Sequence, residues 1–224
     1  HADNTDLMVQ INGIVNEYIH VEKPDQEAVP SRQFDISKID FDLLSREFAH
    51  TRRKNLLLRD LDELVNQQLA KMLFANPQRI DYYDRYQEII DAYNAEQNRA
   101  TIEKTFMDLM ELASSLDTEQ QRYVREGFSS DEELSVYDLL FSENLTKQEI
   151  ETIKKVSVDL LTKIKQQIAK LDHWTDKQET KAIVDNLIRN TLWQELPNSY
   201  DVSDIQTYQK KIYEYVYMRY PEVA

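Results

Sequence analysis

The 224-residue chain has no cysteine and only two glycines. Without cysteine there can be no disulfide, no thiolate metal site and no cysteine nucleophile; a reducing compartment is compatible with this but not required. Two glycines fall far below the roughly 7% of average usage. A phosphate-cradling P-loop, a dinucleotide fingerprint and a Gly-x-Ser-x-Gly elbow all need closely spaced glycines, so none can be present. A β-rich or doubly wound fold would also need glycine at its turns. No apolar run approaches the about 20 residues of a membrane span, and no export signal heads the chain. Positive charge is short as well. Lys and Arg total 27 against 41 Asp and Glu, giving a net charge of −14 and a pI near 4.8. A surface this acidic repels phosphate backbones unless its cations gather in one patch.

What the chain does hold is helical periodicity. Apolar residues make up 41%, enough for a sizeable core. Leu7, Ile11, Ile14, Val15 and Tyr18 predict a helix within 1–21, and the proline-bearing stretch 22–37 predicts a linker. Residues 38–224 then read as one helical domain. Asp40 can cap a short helix through Phe41, Leu44 and Phe48. A long helix through Leu57, Leu61, Leu64, Val65, Leu69, Met72 and Leu73 is stopped by Asn76-Pro77. Tyr82, Tyr83, Tyr86, Ile89, Ile90 and Tyr93 follow at spacings of three and four, which lays four tyrosines along one side of a helix ending near Gln97. Ile102, Phe106, Leu109, Met110 and Ala113 define another.

In the second half, Thr118 with Gln121 fits a capping box, and Gly127 fits a C-terminal stop. Ser130 or Asp131 can start a short helix. Thr146 with Glu149 caps the longest one, about 25 residues from Ile150 to Leu171. Thr175 with Gln178 starts a helix ended by Pro197, and Ser203 starts the last, which stops before Pro221. The pattern predicts an all-α bundle of about nine helices without significant sheet. Histidine at position 1, where methionine would stand, suggests a piece of something larger.

Several constellations invite a functional reading. Glu17-x-x-His20 and Glu47-x-x-His50 have the spacing that, with two more glutamates, builds a di-iron site in a helical bundle. A linker separates the two pairs, and both histidines close predicted helix ends, where imidazolium suits the helix dipole. Coincidence in a glutamate-rich chain is the better reading. Glu179-Thr-Lys181 matches the tail of a nuclease motif that needs adjacent strands, yet it lies on a predicted helix and reads as a solvated face. Arg52, Arg53, Lys54 and Arg59 form the densest cationic cluster, placed where a helix start disfavours cations. They are candidate contacts for a partner or a phosphate backbone. On the last helix Tyr213, Tyr217 and Tyr220, with Arg219, form a second face beside the apolar one. Such a face is either buried or docks a partner, since tyrosine and arginine are enriched at interfaces. The stripe from Tyr82 to Tyr93 is read as packed core, with Asp81–Arg85 as an exposed pair worth roughly a few tenths of a kcal/mol.

The wording of Asn76-Pro-Gln-Arg-Ile-Asp-Tyr-Tyr-Asp-Arg-Tyr-Gln-Glu-Ile-Ile-Asp-Ala-Tyr-Asn94, continued to Phe106, resembles the C-terminal helical region of the R (restriction and translocation) subunit of type I restriction enzymes. Shorter echoes run from Val15–His20 through Arg53-Lys-Asn55 and Val124–Gly127 to Thr191-Leu-Trp193 and Leu196–Tyr200. Asn76, Pro77, Arg79, Tyr82, Tyr83, Arg85, Tyr86, Tyr93 and Arg99 carry the signature and are expected to be structural. The resemblance implies a bacterial or archaeal cytoplasmic protein and a non-catalytic module that docks the subunit on methyltransferase (M) and specificity (S) chains. It implies DNA contact through the full complex, and no membrane or small-molecule partner. The whole subunit would be an ATP-dependent endonuclease whose ATP and Mg sites lie upstream. No catalytic, cofactor or metal residue is carried into this chain. A helical module touching translocating DNA is the alternative, with the di-iron enzyme behind it.

Overall fold

The computed structural model describes residues 39–96 and 98–221. The helix expected within 1–21 and the linker at 22–37 lie outside those residues. Among the described residues there are nine helices and no strand. They fall into two compact units that divide between Arg122 and Tyr123.

The first unit holds α1 (Phe41–His50), α2 (Lys54–Ala75), α3 (Ile80–Ala95) and α4 (Arg99–Gln120), with a 3-10 turn at Pro77–Arg79 between α2 and α3. Asp40 caps α1, its carboxylate accepting from the Leu43 N–H at 2.9 Å. α2, α3 and α4 pack on one another, and α1 packs against α4. The core closes on Val65, Leu69, Phe106, Leu109, Leu112 and Leu116, all essentially without solvent. Phe48 of α1 stacks on Phe106 with ring centroids 3.6 Å apart, which fixes the short helix to the long one. Thr118 does not start a helix. Its hydroxyl donates to the Ser114 carbonyl inside the last turn of α4, because Leu112, Leu116 and Glu119 carry the buried face through that point.

The second unit begins with the single turn α5 (Arg122–Arg125) and continues with α6 (Asp131–Leu140), α7 (Lys147–Ile168), α8 (Gln178–Glu195) and α9 (Val202–Arg219). α6 packs on α7, α7 on α8, α8 on α9 and α9 back on α6, closing a four-helix ring. Leu134, Leu140, Ile153, Leu160, Ile164, Val184, Ile188, Leu192, Ile212 and Val216 fill it. Gly127 stops α5 as expected. At φ +85° it lets its own N–H reach the Val124 carbonyl and the Phe128 N–H reach the Tyr123 carbonyl, the two bonds of a Schellman motif.

Ser130 caps α6, and Thr146 with Glu149 forms the full reciprocal box on α7. α7 is 22 residues, no longer than α2 or α4. The stripe predicted out to Leu171 outruns the helix because the chain tightens into i→i+3 turns after Ile168, and Leu171 meets the core from the turn. Thr175 is not a cap. His173 adopts a left-handed φ of 44° that turns Trp174 inward, and α8 starts only after Lys177. The last helix is capped two residues earlier than Ser203, by Asp201 with Asp204.

Candidate functional site: the signature helix and the two predicted contact surfaces

The signature residues sit where α2 turns into α3, and their polar groups point into the first unit. Asn76 is fully buried. Its N–H closes α2 on the Met72 carbonyl at 2.9 Å, and its side-chain oxygen accepts from the Gln78 N–H at 3.1 Å. Pro77, without an N–H to satisfy, begins the 3-10 turn. Two residues on, Arg79 is only 4% exposed, and its Nε donates to Glu119 Oε1 at 3.0 Å. Arg122 Nε stands 3.1 Å from the same oxygen. A buried guanidinium is tolerated only when it is paired, and here one carboxylate serves two. Tyr82 lies beside this group; burial, then the Glu119 charge, raises its hydroxyl above the ordinary tyrosine range.

One turn further, the Tyr86 hydroxyl is used in both directions. It donates to Asp62 at 2.7 Å and accepts from Asn66 at 2.7 Å, which ties α3 to α2. Burial lifts the Asp62 carboxyl above its usual range; the Tyr86 bond works against that rise, and neighbouring Glu63 adds to it. Tyr83 lies against Tyr86 with ring centroids 6.2 Å apart, and Tyr93 packs on the core edge. Arg85 does not form the pair expected with Asp81. It reaches across to Glu111 of α4 at 3.0 Å. Arg99 pairs with Glu103 in the first turn of α4 at 3.2 Å. The residue-level reading missed Asn66, Asp62 and Glu119. The last of these was legible, since Leu112, Leu116 and Glu119 share one face and a carboxylate there demands a cation.

The cationic cluster is partly drawn into the fold. Lys54 pairs with Glu103 at 2.7 Å and lies over the Phe48 ring at 4.9 Å. That lysine, then Arg99, holds the Glu103 carboxyl below its usual range. Arg53 forms the N-cap position of α2, and its N–H donates to the Thr51 hydroxyl. Arg52 is exposed, as is Arg59, which stands 3.6 Å from Asp60.

The tyrosine face of α9 is built around Trp174. Tyr213 and Tyr217 stack on each other and present edges to the indole at 6.2 and 5.7 Å. Trp174 itself is 1% exposed, and its Nε1 donates to the Tyr220 carbonyl at 2.6 Å. Tyr220 and Arg219 are half-buried. Burial, then Tyr215 and Glu132, drives the Tyr220 hydroxyl upward. Tyr217 is the open member, 39% exposed, with Lys181 over its ring at 5.7 Å. Lys181 and Glu179 thus lie on the first turn of α8, a helix with no strand beside it among the described residues. Glu47 and His50 are exposed at the end of α1, while Glu17 and His20 fall outside the described residues. Among the described residues, no three His, Asp or Glu side chains are grouped to hold a metal ion. None of their helices is long and apolar enough to cross a membrane.

Comparison with known proteins gives one positive result. The family model described as type I restriction enzyme HindI endonuclease subunit-like, C-terminal, matches residues 2–220. Neither curated proteins nor solved structures gave a match. With almost the whole chain covered, the chain belongs to that family as the C-terminal domain of a type I restriction endonuclease subunit.

Proposed function

We propose that this domain docks the endonuclease subunit on the methyltransferase and specificity chains of its restriction complex, and that it performs no chemistry itself. The observation that carries the reading is the fate of the signature side chains. Arg79, Tyr86, Arg85 and Arg99 all spend their polar groups on partners within the first unit. Residues that mark the family therefore shape the module, and its contacts with other chains are left to its surface. An acidic exterior suits this work. It complements basic DNA-modifying chains and keeps the module itself off the phosphate backbone. ATP, Mg and the cleavage chemistry then belong to the upstream parts of the same subunit, and DNA is met through the assembled complex.

The test is removal of residues 36–224 from the full-length subunit. Binding to the methyltransferase–specificity core should be lost while ATP hydrolysis remains measurable. Undiminished binding would overturn the proposal.

A further inference from the structure

The outward side of α8 stands apart from the rest of this acidic chain. From Ala182 to Gln194 seven positions of the helix are exposed, and none is a carboxylate. Acidic residues are 41 of 224 in the sequence, so a solvated face of that length would ordinarily carry at least one. The one carboxylate in this stretch, Asp185, is turned aside and accepts from Gln209 of α9 at 2.8 Å. In place of charge the face carries Ile183 and Trp193, 42% and 51% exposed, separated by Asn186 and Asn190. Its single ion is Arg189, whose guanidinium donates to the Asn186 side chain at 2.7 Å and so lies along the helix, with further N–H donors left to offer.

Loss of charge together with an open tryptophan and an arginine is the composition of the centre of a protein–protein interface, not of a solvated face. It does not fit the other surfaces. A nucleic-acid backbone needs several cations, and this face has one. A membrane surface needs a larger apolar stripe with a ring of cations. It is also not required by the fold, because the opposite side of α8, with Val184, Ile188 and Leu192, makes the core contacts.

We propose that the Ile183–Trp193 face of α8 is the surface by which the domain seats on a weakly charged face of the modification core, the indole entering an apolar recess and Arg189 meeting a carboxylate or carbonyl at its edge. This rests on the docking reading above and adds where docking occurs. Trp193 and Asn190 are exposed, so changing them leaves the core intact.

The experiment uses the full-length subunit and the methyltransferase–specificity core. Dissociation constants are measured for the wild type, Trp193→Ala, Asn190→Glu and the subunit lacking residues 36–224, with thermal melts and sedimentation of each. The proposal predicts on the order of a tenfold or greater loss of affinity for either point variant, with unchanged melting. If the truncation abolishes binding but both point variants bind within about twofold of wild type, this face is not the seat and the docking reading stands. If the truncated subunit still binds, the docking reading itself fails and this proposal with it. If the point variants instead abolish self-association while binding the core normally, the face joins two copies of the subunit, which also overturns the proposal.

Discussion

Asp62 is a carboxylate held against its own preference, and its position shows how a single residue balances specificity against stability. Burial raises its pKa in the folded chain, so between the ordinary carboxylate value of about 4 and the raised one the folded state keeps a proton that the unfolded state has lost. Stability therefore falls as pH rises through that window, and at neutral pH the charge is a net burden. Asp62→Asn keeps an oxygen to accept the Tyr86 hydroxyl and removes the charge. It should melt at a higher temperature than wild type at pH 7, with the gap closing as pH falls toward about 4. Thermal melts across that range check it; a less stable variant at pH 7 would show that the ionised bond outweighs burial. Pairings of this kind were only partly legible in the sequence. The tyrosine stripe announced a packed helix face, and Tyr86 and Ile89 are buried as that spacing requires. The partners were not announced, because Asp62, Asn66 and Glu119 reach the stripe from other helices. Arg85 shows the same limit: local spacing offers Asp81, and the fold offers Glu111.

At the scale of elements, signals made by a side chain on its own backbone were readable, and signals that depend on where the chain turns next were not. Asp40, Ser130 and Thr146 cap helices as their spacing predicts, since each satisfies N–H groups two or three residues away. Thr118 and Thr175 fit the same short pattern, yet one lies within a helix whose buried face continues and the other follows a turn set by the inward Trp174. Gly127 is the stop that could be read with a physical reason, because the Schellman geometry needs a left-handed residue. A methyl group at Gly127 would meet nothing within 4 Å. Gly127→Ala should therefore cost only the backbone term, about 1–2 kcal/mol. Urea unfolding measures it; an unchanged or raised midpoint would mean that the turn relaxes to a right-handed form without loss.

At the scale of the whole molecule, the helical class followed directly from scarce glycine and sustained three-four periodicity. The division into two units did not. It falls within α5, a turn of helix, and carries none of the proline, glycine or polar enrichment by which a linker is recognised in sequence. Each unit closes its own core, one around Phe106 and one around Ile164 and Trp174, as separate folding units do. The contact surfaces divided in the same way. The tyrosines of α9 drew notice by their number, and half of that face turned inward onto Trp174. The outer face of α8 was harder to see, because what distinguishes it is the absence of charge on one side of a helix, and the boundaries of that side are set only by packing.

The central claim is that the domain supplies the docking contact of its subunit, and competition tests it most directly. Purified domain, residues 1–224, is added in excess to a reconstituted restriction complex, and DNA cleavage and methylation are followed together. The domain should inhibit ATP-dependent cleavage saturably, by displacing the full endonuclease subunit, and leave methylation unaffected. A folded domain that neither binds the methyltransferase–specificity core nor slows cleavage at any concentration would contradict the account.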